Sequence, residues 1–426
     1  MVFDGEKILL DYERAKEVYS QFGVDTDEVL KKMKEIKISL HCWQGDDVTG
    51  FEEATKGMGG GGILATGNYF GKARNGQELR QDLEFAMSLI PGKHKVNLHA
   101  IYAETDGKKV DRDELSIEHF EKWINWAKEK DIGLDFNPTF FAHPKASSGY
   151  TLASTDKNIR EFWVRHGIKS REIASQIGKE LQKPCINNIW IPDGSKDFTA
   201  KRYEHRKILK ESLDRIFDAN VDKQYLIDSV ESKLFGIGSE AYVVGSHEFY
   251  MGYIFTSKHD IAICFDLGHF HPTETISDKI SAVLAYSKKI LLHLSRGMRW
   301  DSDHVVILND EVLSVAQEVK RSHGFDKVYF ALDFFDASIN RITAWVTGAR
   351  AALKAILIAL LEPTYLLIEA ENEGNYGKRL ALLEEFKTLP FGAVWNKYCY
   401  DSGVPVGSTW LEKAKEYEEK VLKNRV

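Results

Sequence analysis

Eight short apolar, strand-like runs alternate along this chain with amphipathic helical segments, and the last four runs end in carboxylates and imidazoles. Together these observations predict an α/β protein: a (β/α)8 TIM barrel with N-terminal helices and a helical C-terminal extension. Its active site would be gathered where the strands end. A third observation points the same way. No GxGxxG follows the first strand, as it would in a doubly wound sheet holding a dinucleotide.

Residues 1–35 read as an N-terminal helical segment, with apolar positions three and four apart among charges. The barrel is expected over residues 36–340. Its strands are predicted at Ile36–Cys42, Val96–Tyr102, Gly133–Asn137, Ile186–Ile191, Leu226–Ser232, Ile261–Leu267, Ile290–Leu294 and Val328–Asp333. Between them lie helical patterns such as ELRQDLEFAMSLI, IEHFEKWINWAKEK, NIREFWVRHGIKSREIASQIGKELQ and ISDKISAVLAYSKK. One connection differs: Gly45 to Asn75 carries GMGGGG between strands one and two. It lacks the GK[ST] ending of a phosphate loop and reads as a mobile lid over the barrel mouth, with a disordered surface loop as the alternative. Residues 341–426 read as a continuous helical extension, suited to oligomer contacts. The run AALKAILIALL within it, interrupted by Lys354 and stopped at Glu362-Pro363, reads as too short to span a bilayer.

Composition narrows the class. The chain has 426 residues, 43% hydrophobic and 28% charged, as in an ordinary globular protein. A formal net charge of −7, with no Lys/Arg block, argues against a nucleic-acid partner. The four cysteines Cys42, Cys185, Cys264 and Cys399 are far apart and form no CxxC pair. With no apolar run of signal-peptide length at the N-terminus, they suggest reduced thiols and a cytoplasmic location.

The chemistry lies between Val230 and Asp336. Glu231, Asp266, His293 and Asp333 close strands five to eight and should converge on one rim. Three carboxylates and an imidazole suit a hard divalent ion such as Mn²⁺, Mg²⁺ or Co²⁺; zinc is less favoured because no cysteine contributes. A second group follows: His269, three residues after Asp266, with Asp301 and Asp303 in RWDSDH. Asp266 is placed to bridge two ions. One such residue alone would read as a helix cap or a partner for Arg296 or Arg299; seven on four successive strands do not. Lys233 shares a face with Glu231 by period-two alternation and is suited to polarise a carbonyl. His99 and His41 end strands; a neutral His99 could take a proton from a sugar hydroxyl or equally be a core histidine bonded to backbone. Trp43, Trp190, Phe136 and Phe335 lie near strand ends, where they could wall a sugar pocket or simply pack the core.

The strings HCWQGDDVTGFE, ATGNYFGKARN, NLHAIYAE, GLDFNP, NIWIPDG, VESKLFGIG, FDLGHFHPTE, RWDSDHVV and LDFFDASINRI resemble the L-rhamnose isomerase family, related in architecture to xylose isomerase. The likeness runs from about Ile38 to Leu389. It implies an aldose–ketose isomerase interconverting L-rhamnose and L-rhamnulose, with L-mannose, L-lyxose and D-allose as further candidates. It also implies a homotetramer with two divalent ions per subunit, Mn²⁺ foremost. By the same resemblance, Glu231, Asp266, His293 and Asp333 match the structural-metal ligands. His269, Asp301 and Asp303, with Asp266 shared, match the catalytic-metal ligands. Lys233, His99, Trp43 and Trp190 match substrate contacts, and the Gly-rich stretch matches a lid. The expected chemistry is a metal-assisted hydride shift from C2 to C1; the alternatives are an enediol route and, for the class, a metal-dependent hydrolase on the same barrel.

Overall fold

The computed structural model describes residues 4–52, 67–234, 241–286 and 288–425. Eight parallel strands close into a barrel: β1 (Ile38–His41), β2 (Lys95–His99), β3 (Gly133–Asn137), β4 (Cys185–Trp190), β5 (Leu226–Glu231), β6 (Ile261–Asp266), β7 (Ile290–Leu294) and β8 (Val328–Leu332). Neighbours in space follow chain order, and β8 returns to β1 through Ile38 opposite Phe330. All eight expected strands are present: Gly133–Asn137 and Ile290–Leu294 match their expected bounds, the fourth is shifted by one residue, and the others are one to three residues shorter. The second was expected to reach Tyr102, but there the chain turns into a 3-10 helix at Ala100–Tyr102.

The first 35 residues form two helices rather than one. Gly5–Ser20 and Thr26–Glu35 are separated by a turn in which Gly23 takes φ +65°, and each is capped by an aspartate, Asp4 and Asp25. The C-terminal region is likewise divided, into Arg341–Leu361, Thr364–Asn372, Tyr376–Glu385, Phe391–Asp401 and Trp410–Lys420. Pro363 and Pro390 stand before two of these helices, where a missing N–H costs nothing. Arg341–Leu361, which contains the AALKAILIALL run, has by itself the length and apolarity of a membrane span. Most of its residues are buried inside the protein, against the helix before β8 and the barrel wall, so it serves as a core helix.

Two apolar clusters hold the barrel. The large one fills the space between strands and helices. The small one is Ile186, Cys264, Leu291 and Ala331, flanked by Ile227 and Tyr329. Alternation along a strand explains the second: Cys264, Leu291 and Ala331 each precede Asp266, His293 and Asp333 by two, so they share the inward face. A thin apolar plug therefore fills the lumen, and the polar site rests on it. Outward positions pack against helices. There Asp228 of β5 receives two hydrogen bonds of 2.8 Å from Arg171, on the helix Lys157–Leu181, with both side chains buried.

Candidate active site

The rim is assembled from the strand ends. Glu231 and Asp266 are the last residues of β5 and β6, His293 is the penultimate residue of β7, and Asp333 directly follows β8. Each offers one ligand atom within 4.8 Å of the others. His293 Nδ1 lies 3.1 Å from Asp333 Oδ2, 3.4 Å from Glu231 Oε2 and 3.9 Å from Asp266 Oδ2. A second group, Asp266, His269 and Asp301, shares Asp266 with the first. His269 Nε2 lies 3.5 Å from Asp301 Oδ2, and its Nδ1 is 3.2 Å from Glu231 Oε1. Asp303 lines the same cavity but falls outside both groups. Cys264 comes within ligand distance of Glu231 and His293. A thiol is thus at hand, where the sequence suggested none.

Neighbouring donors aim these carboxylates. Asn188 of β4 donates from Nδ2 to Glu231 Oε2 at 2.6 Å. Trp43 Nε1 donates to Asp333 Oδ1 at 3.0 Å. Ser295 Oγ and the Gly268 N–H both donate to Asp266 Oδ1, at 2.7 and 2.6 Å. A Cβ on Gly268 would stand 2.5 Å from Asp301 Oδ1, so only glycine lets the backbone come this close.

The residues present fit divalent cations. Asp266 Oδ2, Asp301 Oδ1 and both ring nitrogens of His293 are buried with no hydrogen-bond partner among the described residues. Leaving such atoms unsatisfied costs several kcal/mol, roughly, and a cation held by oxygen and imidazole donors satisfies them together. Electrostatics agree. Burial and the Lys233 ammonium oppose protonation of His269, but Asp266, Asp301 and Glu231 outweigh them and raise its pKa to about 9. Burial, with repulsion from Asp333, Glu231 and Asp301 outweighing the help of His269, lifts Asp266 to about 7. The cluster thus carries more negative charge than its own side chains neutralise, and metal ions compete for it with protons.

Around the groups lies a cavity of about 70 Å³ lined by Trp43, His99, Asn137, Phe141, Trp190 and Phe335, among others. Lys233 Nζ sits 2.6 Å from Asp301 Oδ2 and 5.0 Å above the Trp190 ring. His99 Nδ1 meets Thr139 Oγ1 at 3.2 Å, and its ring packs edge-on against Trp43 and Phe141. Burial lowers the pKa of His99 to about 4, against the pull of Asp333 and Glu231. The imidazole is neutral at ordinary pH.

One expected wall residue is elsewhere. Phe136 points away from the cavity and packs edge-on against Phe120, because Asn137 and Asp135 take the inward positions on β3. Three residues of the dense acidic region do local work instead. His271 pairs with Thr273, His304 with Ser302, and Asp336 caps the turn at Ser338. Missed were Asn188, Ser295, Asn137 and Phe141. The signal for Asn188 was present: an asparagine inside the apolar run CINNIW needs a buried partner. Phe141 had none, since Arg112 positions its loop by donating to the carbonyls of Thr139 and Phe141. The GMGGGG run, and with it the expected lid, lies outside the described residues, as do residues 235–240 beyond Lys233.

A parallel barrel whose strand ends gather two carboxylate–imidazole groups sharing one aspartate, beside a neutral histidine and a tryptophan-lined cavity, defines a metal-dependent barrel enzyme. The family model for L-rhamnose isomerase (RhaA) matches residues 6–425. An L-rhamnose isomerase of Rhodopirellula baltica is 56% identical over 97% of this chain and 96% of its own length. One from Listeria monocytogenes is 55% identical over 97% of this chain and 98% of its own. The chain belongs to the L-rhamnose isomerase family, and it is a metal-dependent isomerase of the aldose–ketose type.

Proposed function

We propose that this isomerase interconverts L-rhamnose and L-rhamnulose, with L-mannose, L-lyxose and D-allose as further candidates, using two divalent ions per subunit, Mn²⁺ first. The observation that carries this reading is the pair of ligand groups joined at Asp266 beneath one cavity. Glu231, Asp266, His293 and Asp333 would hold one ion; His269, Asp301 and Asp303, with Asp266, the other. When bound, such ions polarise a carbonyl and acidify the neighbouring hydroxyl.

The chain's own residues supply the rest. His99, neutral and engaged at Nδ1, accepts the ring hydroxyl proton at Nε2 and opens the sugar. Lys233, held by Asp301, donates to the carbonyl oxygen, while Asp301 or Asp303 would steer a water or hydroxide that takes the proton leaving O2. Trp43, Trp190 and Phe335 cover the apolar faces and keep water from C1 and C2. In the hydride route the C2–H bond breaks as a C1–H bond forms, O2 loses a proton and O1 gains one. Exclusion of water favours this over the enediol path.

The test is ketose formation from a panel of aldoses, using metal-stripped protein with and without Mn²⁺. Conversion restored by metal, fastest on L-rhamnose and absent in Asp301→Ala, is expected; a different preferred aldose would revise the substrate. With C2-deuterated sugar, deuterium should stay in the ketose, and its washing out would replace the hydride shift with the enediol. We further propose residues 36–340 as the catalytic domain and the helices of 341–426 as contacts of a homotetramer. Tyr365, Ile368, Tyr376 and Leu380 stand exposed on two of those helices. A cytoplasmic location is supported by four buried cysteines without disulfides.

A further inference from the structure

At the opposite end of the barrel from the metal groups, a cavity of about 320 Å³ opens where β1 to β4 and β8 begin. Its size falls within the range of small-molecule sites. Lys95, Asp135, Ile186 and Tyr329 form its floor, and Lys32, Lys37, Lys183 and Phe325 stand around its mouth with Glu35. The floor is internally satisfied. Lys95 pairs with Asp135 and donates to the Pro184 carbonyl at 2.8 Å, while Asp135 also receives Ser39 Oγ at 2.7 Å and Ile186 N at 2.8 Å.

The mouth is not. Asp131 is shared by two lysines, Lys183 at 2.7 Å and Lys93 at 2.5 Å. Lys32 has a ring beneath it, Phe325 at 5.0 Å, but no ion pair among the described residues. Lys37 has neither. Burial and the ammoniums of Lys183, Lys95 and Lys93, set against Asp131 alone, hold its pKa below the usual lysine range. In a chain of net charge −7, one side of this mouth therefore presents several cations to too few anions. Facing them are an aromatic and aliphatic wall, Phe325, Phe330 and Ile186, and the Tyr329 ring.

We propose that this basal cavity binds a small phosphomonoester of sugar size. Its dianion would lie between Lys37 and Lys183 at the mouth, with its carbon skeleton against Phe325 and Tyr329. Lysine ammoniums suit a phosphate as mobile point charges, and a dianion relieves their mutual repulsion at the mouth. A neutral sugar would gain only the wall. This site is separate from the isomerase reaction: none of its side chains lines the metal-bearing cavity.

The test is calorimetric titration of the Mn²⁺-loaded full-length enzyme with glucose 6-phosphate, inorganic phosphate and glucose. One site per chain is expected for glucose 6-phosphate, with phosphate weaker and glucose silent. The double variant Lys37→Ala/Lys183→Ala should weaken binding at least tenfold while isomerase turnover stays unchanged, showing that the fold and the metal rim are intact. Equal affinity in that variant would place the phosphate elsewhere, at the metal ions for example, and overturn the proposal. No saturable heat up to about 10 mM ligand would overturn it as well.

Discussion

Asn188 does more at this site than its small side chain suggests. Its amide fixes Glu231 Oε2, the oxygen that faces His293 in the metal group. Outer partners of this kind are worth roughly 10–100-fold in metal affinity. Asn188→Ala is therefore expected to lower Mn²⁺ affinity by about that factor in a calorimetric titration, with an unchanged circular dichroism spectrum. His99 acts on the sugar instead. His99→Asn should cut kcat by roughly 10²–10⁴-fold while Mn²⁺ affinity holds. Because burial keeps its pKa near about 4, the wild-type enzyme should show no loss of activity traceable to His99 between pH 9 and pH 5. Gly268 is a third case at this scale. Gly268→Ala places a methyl against Asp301 and should weaken the group formed by Asp266, His269 and Asp301 more than the group formed with Glu231. Two Mn²⁺ binding events of unequal loss would show it.

At the scale of elements, the rim depends on strands being held in register by the helices behind them. The bond pair between Arg171 and Asp228 ties the helix Lys157–Leu181 to β5, the strand that carries Glu231. Both side chains are buried, so removing one leaves an unpaired charge in the wall, at a cost of about 3–5 kcal/mol. Arg171→Met should lower the apparent Tm by several degrees, and Arg171→Met with Asp228→Leu should recover part of it. Gln44 does related work across the barrel closure. Its amide donates to the Asp336 carbonyl at 2.9 Å and accepts from the Asp336 N–H at 2.8 Å, joining the turn after β1 to the one after β8. This brings Trp43 beside Asp333.

For the whole molecule, buried neutral histidines set the acid limit. Burial lowers His166 to about 3 and His94 to about 4, from an ordinary 6.5. Each ring is hydrogen-bonded at both nitrogens in its neutral form. The unfolded chain takes up these protons near pH 6.5 and the folded one does not. Stability present above pH 6.5 is therefore lost as pH falls through 6.5 toward 4, by up to about 1.4 kcal/mol per unit for each ring. The apparent Tm should drop between pH 7 and pH 5, and His166→Gln should flatten that slope. Equal slopes in the two proteins would assign the acid sensitivity to other groups.

What the sequence determined alone was periodic and local: eight alternating strand–helix units, and metal-ligand residue types at the ends of the last four strands. Period-two alternation and the closing of the barrel carry such information directly, because each strand end contributes one side chain to the same rim. Tertiary structure decided what depends on direction and distance. It turned Phe136 outward and Asn137 inward, stopped β2 at His99, and split the N-terminal helical run at Gly23. It also gave His271, His304 and Asp336 local partners and set Cys264 beneath His293. Residue type names what a side chain can do, but only the packed backbone fixes which neighbours come within about 3 Å to do it with.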